Sequence, residues 1–339
     1  MSNKRYMAVL IIVFLISLFV GSYRLPYYVY KPGSADALDP MVTVQDAFKS
    51  EGDMHLVTVR GGQATPLQLL LAYIQPFYDI YSIEEIRPEG VTEQEYMNGQ
   101  LHMMETSQEA SIVVAYEAAN KEISIEYMGV YVMSILDGMP AGEFLEIGDR
   151  IIQVDDIKVE KSDDLIDYVS TFREGESVAI SFTRSGETKL VNIPLAEFPE
   201  NPEKVGIGIS LVTDREIVVD PEVEFKSGDI GGPSAGLMFS LEIYDQLTEE
   251  DITKGYQIAG TGEINYNGEV GRIGGIDKKV VAADREGVDV FFAPYEGGAK
   301  DSNYEVAKKA AEKIGTDMKI VPVDTFQEAL SYLQNLDPK

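Results

Sequence analysis

Residues 231–236 read GGPSAG, residues 261–264 read TGEI, and residues 273–279 read IGGIDKK. These three stretches lie in a segment, starting near Asn201, in which Gly-rich loops alternate with patterns typical of helices and strands. That alternation predicts an α/β domain in the C-terminal part of the chain. The first stretch also fits the loose pattern Gly-x-Ser-x-Gly, which makes Ser234 a candidate nucleophile.

The composition restricts which base can activate Ser234. The chain has no Cys and two His, His55 and His102, and both His precede Ser234. An α/β-hydrolase needs its His after the nucleophile, so that fold is excluded. A chymotrypsin-like order could use an upstream His, but the expected Gly-Asp-Ser-Gly context is missing. The lack of Cys excludes thiol nucleophiles, disulfides and Cys-ligated zinc.

A lysine can act as the base if its amine is neutral, which requires burial or cationic neighbours that lower its pKa. A helix that begins near Ile276 would place Val280 and Ala283 on one apolar face. Lys279 flanks that face, whereas Lys278 lies on the opposite side and is expected to be solvated. The helical wheel therefore favours Lys279 as the base.

Taken together, the three stretches resemble the proteolytic domain of Lon proteases, which use a Ser–Lys dyad. The resemblance implies that Ser234 is the nucleophile, that Lys279 is the general base and that Thr261 helps to orient the lysine. Backbone N–H groups in the turn from Gly232 to Ala235 are the expected oxyanion site.

The chain also departs from the Lon pattern. Gly231 stands where Lon proteases usually have Asp, and Asp229 is a candidate substitute for that acid. The pattern Gly-x-x-x-x-Gly-Lys-Ser/Thr does not occur in the 339 residues. We therefore expect an ATP-independent enzyme with small, unfolded or locally exposed substrates. No metal or other cofactor is implied.

The resemblance to Lon extends upstream over residues 54–120. A strand at His55–Arg60 and a long helix from about Thr92 to about Lys121 resemble the first half of its proteolytic domain. On this interpretation the intervening residues form a domain inserted into the protease domain, which resumes over residues 198–337. The alternative is a separate N-terminal region followed by two domains in series.

Residues 121–197 alternate short β patterns with turns and resemble a PDZ domain. The stretches YMGV at 127–130 and GDRIIQVD at 148–155 carry this resemblance. A Gly in the first stretch would let successive backbone N–H groups converge on a peptide carboxylate. The resemblance implies a peptide-binding loop formed by Met128, Gly129, Val130 and Tyr131. The alternative is an ordinary small β-domain whose turns need Gly.

The N-terminus predicts a membrane anchor. Residues 1–6 form a basic stub, an apolar span follows over residues 7–23, and residues 24–53 read as a linker. Lys4 and Arg5 place the stub in the cytoplasm by the positive-inside rule. The alternative is a cleaved signal peptide, although no convincing small-residue cleavage site follows the span.

Charge is distributed unevenly. The net charge is −29, and because residues 1–24 carry +3, the remaining residues carry −32. This acidity argues against binding to nucleic acid.

We therefore expect an α+β multidomain chain with one transmembrane helix, a PDZ domain and a Lon-type proteolytic domain, at the cell membrane. The anchor, the PDZ domain and the proteolytic domain together resemble the membrane-anchored Lon-like PDZ proteases of Gram-positive bacteria. This resemblance implies a serine endopeptidase facing outward that acts on peptides or small proteins, and it allows a homo-oligomer. The alternative is a catalytically silent envelope protein that binds through its PDZ domain.

Overall fold

The computed structural model describes residues 2–87, 93–199, 201–228 and 230–339. These residues form two compact units. The first is discontinuous in sequence and combines the residues up to Glu122 with those from Pro221 onward, and the second spans Ile123–Asp220. This mixed architecture confirms the expected α+β class.

The N-terminal segment contributes four strands and four helices to the first unit. They are α1 (Ser2–Ser22), β1 (Tyr27–Ala37), β2 (Val42–Val44), β3 (Asp53–Gln63), α2 (Pro66–Ala72), β4 (Asp79–Ser82), α3 (Ile83–Ile86) and α4 (Glu93–Ala118).

The second unit is mainly β. Its elements are β5 (Ile123–Ile135), β6 (Arg150–Val154), β7 (Ile157–Lys158), α5 (Ser162–Val169), β8 (Ser177–Arg184), β9 (Glu187–Pro194), β10 (Ala196–Phe198), β11 (Asn201–Gly206) and β12 (Ile209–Val219). Strands β12, β5, β6, β8 and β9 form an antiparallel sheet in that order, and β12 lies at its edge. The inward side chains of this sheet and of α5 form one apolar core.

The C-terminal segment completes the first unit. Its elements are β13 (Val223–Phe225), α6 (Gly236–Leu247), β14 (Gln257–Gly260), β15 (Glu263–Ile264), β16 (Val270–Gly271), α7 (Ile276–Glu286), β17 (Val290–Pro294), α8 (Asn303–Ile314), β18 (Lys319–Val323) and α9 (Phe326–Gln334).

One six-stranded sheet joins the two segments of the first unit. Its order is β18-β17-β14-β3-β1-β4. Strand β14 runs parallel to β3 on one side and to β17 on the other, whereas β1 is antiparallel to its neighbours. Helices α7 and α8 connect the successive parallel strands, as such crossovers require. The pairing of β3 with β14 makes the N-terminal segment part of the same sheet as the segment that follows the second unit.

The structure differs from the linker expected at residues 24–53. Strand β1 lies in the six-stranded sheet, with Val29 and Ala35 buried. The misleading feature is Pro32-Gly33-Ser34, which reads as a turn but forms a bulge where the register between β1 and β3 shifts. Within this bulge the backbone N–H of Ser34 donates to Thr58 Oγ1 at 3.0 Å.

The end of the middle unit also differs from the expected boundary near residue 197. Strands β10, β11 and β12 lie in the second unit, which ends at Asp220. Strand β12 pairs with β5 from Ile209–Ile135 to Val219–Ile123, almost the full length of both strands. This long pairing assigns residues 198–220 to the middle unit rather than to the protease segment.

Candidate active site

Ser234 lies in the turn that precedes α6. The turn is held on one side by the loop after β14, where Thr261 Oγ1 and the Gly262 N–H both donate to the Ser234 carbonyl, at 2.8 and 3.0 Å. Gly236, the first residue of α6, must lack a side chain, because a Cβ there would lie 2.7 Å from Ser107 Oγ and from Ile264. These contacts fix the direction in which the serine side chain points.

Helix α4 supports the other side of this turn. Ser107 Oγ donates to the Pro233 carbonyl at 3.0 Å, and Ser111 Oγ donates to the Gly236 carbonyl at 2.9 Å. Both serines are buried. Sequence reasoning did not identify them. The available signal was a pair of hydroxyls four residues apart on a helix rich in Val and Ala.

The lysine, the serine and the threonine meet in one place. Lys279 Nζ lies 2.6 Å from Ser234 Oγ and donates to Thr261 Oγ1 at 2.9 Å. Thr261 is fully buried, and Lys279 is 4% exposed. Thr261 therefore connects the amine to the backbone carbonyl of the serine. The structure brings together the three side chains that the sequence singled out.

The surroundings of Lys279 favour the neutral amine. Burial lowers the pKa of Lys279 from 10.5 to about 7. No carboxylate contributes to this shift, because desolvation is its sole cause. A lysine with this pKa is partly neutral at physiological pH and can accept a proton.

Lys278 corrects the sequence expectation. It was predicted to be solvated, yet it is 2% exposed and forms ion pairs with Asp79 of β4 and with Asp277. Burial opposes the charge of Lys278, but hydrogen bonds and the charges of both carboxylates outweigh it and raise its pKa. The helical wheel missed this because folding brings Asp79, the first residue of β4, to the side of α7 that the wheel leaves open.

Two further predicted site residues lie in the turn. The backbone N–H of Gly232 donates to the Gln100 carbonyl at 2.8 Å, so in this arrangement it does not face an oxyanion. Ala235 is buried directly after the nucleophile. Asp229, the candidate substitute acid, lies outside the described residues.

The upstream histidines take no part in the site. His55 Nε2 is hydrogen-bonded to Gln257 Oε1 at 2.6 Å, and His102 lies 3.5 Å from Glu105.

A cleft of about 850 Å³ opens at Ser234 and Lys279. Its floor includes the serine turn, and its walls come from β1, β3, α4 and the loop before α7. The lining side chains include Tyr30, Arg60, Met97, Met104 and Arg272. This volume is in the range of ligand-binding clefts.

The predicted peptide-binding loop of the middle unit needs a correction. Met128, Gly129, Val130 and Tyr131 lie inside β5, and at Val130 and Tyr131 this strand pairs with β12 on one side and β6 on the other. A Cβ at Gly129 would lie 2.4 Å from the Ile151 carbonyl oxygen, and its φ is +124°. The glycine therefore permits close strand approach, and this segment offers no free edge to a peptide.

A different groove lies between α5 and the start of β12. Its volume is about 460 Å³, and its apolar lining includes Leu165, Ile166, Val169, Phe172, Val205, Ile207, Ile209 and Leu211. Among the described strands, β12 pairs with β5 alone, so its other edge is open. The sequence signal that could have identified this groove is the stretch VGIGIS at 205–210.

Comparisons with known proteins find two domain types in this chain, and the matched bounds differ from those of the two units: the PDZ match begins within α4, and the Lon match begins within β12. Residues 211–335 match the Lon protease (S16) C-terminal proteolytic domain, and residues 99–195 match the PDZ domain. Lon protease from Aster yellows witches'-broom phytoplasma is 26% identical over 171 residues, which are 50% of this chain and 20% of that protein. Lon protease from Metamycoplasma arthritidis is 32% identical over 171 residues, 49% of this chain and 19% of that protein.

The chain thus spans about a fifth of the length of these curated relatives. Among solved structures, the PDZ domain of an SdrC-like protein from Listeria monocytogenes is 36% identical, covers 25% of this chain and 90% of that one, and has a TM-score of 0.24. From the two domain matches, the chain combines a Lon-type proteolytic domain with a PDZ domain.

Proposed function

We propose that the chain is an ATP-independent, membrane-anchored serine endopeptidase that cleaves small or unfolded peptides and membrane-tethered proteins outside the cytoplasm. The observation that carries this proposal is the buried amine of Lys279, 2.6 Å from Ser234 Oγ and free of any carboxylate partner among its described contacts. An amine in this position can remove the hydroxyl proton during attack on a carbonyl.

The reaction proceeds by acyl transfer. As Ser234 Oγ attacks the peptide carbonyl carbon, its proton moves to Lys279 Nζ. The resulting ammonium then gives that proton to the leaving amine, and an acyl ester remains on Ser234. A water molecule then attacks the ester carbonyl carbon and gives a proton to Lys279, which returns it to Ser234 Oγ as the ester bond breaks and the carboxylic acid product leaves. Thr261 keeps the amine directed at Oγ, and the Ala235 N–H stabilises the oxyanion.

Residues 54–120 are part of the same catalytic domain in this proposal. Two observations support that assignment: β3 pairs with β14, and Ser107 and Ser111 of α4 hold the serine turn. The domain would then be interrupted by the PDZ unit.

Helix α1 would anchor the enzyme. Among the described residues, one helix is long and apolar enough to span a membrane, over Arg5–Ser22, and none of that window is buried inside the protein. A signal sequence has the same properties. Lys4 and Arg5 at its start favour a cytoplasmic N-terminus and an outward-facing catalytic unit.

Cleavage of a labelled unstructured peptide by the purified full chain tests the peptidase proposal. We expect cleavage without ATP, and we expect Ser234→Ala to abolish it while leaving the circular dichroism spectrum unchanged. Equal cleavage by Ser234→Ala would refute the role of Ser234. A folded wild-type protein that cleaves no peptide in a diverse library would instead support the silent binding protein.

The groove between α5 and β12 is the proposed peptide site of the PDZ unit. A peptide strand added to the open edge of β12 would place alternate side chains against α5. Ile166 is 51% exposed and lines this groove, whereas Ile157 is 44% exposed in the same unit and does not line it. We expect Ile166→Glu to weaken peptide binding at least tenfold and the matched Ile157→Glu to leave it unchanged. Equal affinities for both variants would exclude this groove.

A further inference from the structure

Helix α2 and the turn that follows it direct an apolar stripe towards solvent. Leu67, Leu70, Leu71 and Ile74 follow the spacing of one helical face, and they are 46%, 59%, 42% and 71% exposed. Tyr73 beside them is 76% exposed. Contiguous exposed apolar side chains mark interaction surfaces, whereas apolar side chains scattered singly over a surface are common and carry no such meaning.

The opposite side of α2 is firmly attached to the protein. Ala72 is buried and Leu69 half-buried against Val29 of β1, so the helix cannot rotate its stripe inward. Its start is fixed by a capping box, in which Thr65 Oγ1 accepts from the Gln68 N–H and Gln68 Oε1 accepts from the Thr65 N–H. The outward stripe is therefore a property of the folded unit.

The stripe belongs to an unusually uncharged stretch. No Asp, Glu, Lys or Arg occurs from Gly61 to Tyr78, although a quarter of the whole chain is charged. In sequence the stretch is flanked by Arg60 and Asp79, and Arg24 Nη1 donates to the Gln63 carbonyl at 2.6 Å. A surface that contacts water alone gains nothing from excluding charge, whereas a surface that inserts at the acyl-chain boundary of a bilayer is destabilised by charge.

The end of the membrane-spanning helix lies beside α2. Helices α1 and α2 are in contact. The Leu25 N–H, three residues after α1, donates to the Ala64 carbonyl at 2.8 Å, and Gln63 Nε2 donates to the Leu25 carbonyl at 3.0 Å. The exposed Tyr23 and Tyr27 lie at this junction, and Tyr is enriched where protein meets the bilayer interface.

We propose that the apolar stripe of α2 inserts into the same bilayer that α1 spans and seats the catalytic unit on the membrane surface. The inference rests on the anchoring role of α1 in the proposed function. The occupant is the lipid surface, because the stripe continues an apolar surface that begins with α1. Insertion does not depend on anionic lipid, since the stretch has no basic side chain of its own.

Insertion of α2 into the bilayer would restrict which substrates reach the cleft. Gly61 lines the catalytic cleft, and α2 begins five residues later at Pro66. Extended chain covers about 3.3 Å per residue, so the cleft edge lies within roughly 17 Å of the inserted helix. Peptide segments close to the membrane surface are then the accessible substrates.

The absence of Trp from the chain allows a direct test. Leu70→Trp, Phe48→Trp and Leu15→Trp each give the full-length chain one reporter, and each variant is reconstituted into phosphatidylcholine vesicles. Phe48 is 48% exposed and precedes β3. Strand β3 begins at Asp53 and ends at Gln63, and its length separates these two residues by about 30 Å. Retained cleavage of a soluble peptide shows that each variant is folded.

Phosphatidylcholine brominated in its acyl chains quenches Trp at the acyl boundary. We expect it to reduce the emission of Leu70→Trp by about twofold, to quench Leu15→Trp at least as strongly, and to leave Phe48→Trp unchanged. Quenching of Leu15→Trp without quenching of Leu70→Trp would overturn the seating of α2 and leave the anchor intact. Failure of Leu15→Trp to be quenched would refute the anchor itself.

A second copy of the chain would give a different result. Leu70→Trp would then be shielded from acrylamide in the aqueous phase, unaffected by brominated lipid, and sensitive to the protein-to-lipid ratio. That outcome also overturns the proposal.

Discussion

The two sides of the first turn of α7 hold neighbouring lysines in opposite electrostatic surroundings. Lys278 and Lys279 are both almost completely buried. The pKa of Lys278 is raised because Asp79 and Asp277 outweigh its desolvation, whereas the pKa of Lys279 falls to about 7 because desolvation acts unopposed. Burial alone therefore does not make a lysine a base. The contrast shows that a catalytic amine also requires the exclusion of carboxylates.

Removing each amine in turn should give the largest contrast. We expect Lys279→Met to lower kcat/KM by about 10³-fold, since the general base is lost. The matched Lys278→Met should retain more than a tenth of the activity but lower the free energy of unfolding by about 2 kcal/mol. Peptide cleavage and urea unfolding measure the two effects. A larger loss of activity in folded Lys278→Met than in Lys279→Met would reverse the assignment.

The second test of the contrast is the pH dependence of cleavage. At pH values below its pKa of about 7, Lys279 is mostly protonated and cannot accept the serine proton. The rate should therefore rise from pH 5 to pH 7 and level off above it, falling roughly tenfold per unit on the acid side. Measuring kcat/KM from pH 5 to 9 tests this. A flat profile would contradict a titrating amine.

Substitution of Thr261, which binds Lys279, should reduce the cleavage rate by less than the loss of Lys279 itself. Thr261→Val removes the hydroxyl that joins Lys279 Nζ to the Ser234 carbonyl but keeps the side-chain shape. We expect kcat to fall about tenfold with little change in KM, consistent with the loss of hydrogen bonds that position the amine. Thr261→Ser is the control and should recover most of the rate. If Thr261→Val and Thr261→Ser behave alike, the hydroxyl has no positioning role.

Asp79→Asn should have the smallest effect on catalysis. The substitution weakens the ion pair of Lys278. Because the pKa of Lys278 is raised in the folded protein, the ion pair contributes its full stability below pH 10.5. The loss of stability should therefore be measurable at pH 8. We expect a decrease of about 1 kcal/mol in the free energy of unfolding, because Asp79 is partly exposed. Cleavage should change less than threefold, with the acid limb of the pH profile unmoved. A shifted limb would show that Asp79 also influences Lys279.

Local patterns predicted much of the fold and the site. The long helix expected from about Thr92 to about Lys121 is present as α4, and the Ser–Lys–Thr group was implied by the resemblance of ordered motifs over some 50 residues to Lon proteases. The motifs succeed there because the turn before α6 and the first turn of α7 are each formed by consecutive residues. Predictions failed where distant segments decide the environment, as for β1, whose bulge resembles a loop until β3 pairs with it.

The groove of the middle unit illustrates the same limit. The stretch at Met128–Tyr131 has the expected composition of a peptide-binding loop, but β6 and β12 occupy both of its edges. Whether a strand edge is open depends on which strands arrive from elsewhere in the chain. No local pattern contains that information.

The sequence by itself determined the chemistry of this protein. It supplied a serine between glycines, left lysine as the most plausible base because no histidine follows Ser234, and marked an apolar N-terminal span. The tertiary structure decided which of two adjacent lysines has a lowered pKa, which edge of the PDZ sheet is open, and that the apolar stripe of α2 points outward. These properties depend on solvent exclusion and on partners brought from distant parts of the chain, and both arise only when the segments pack together.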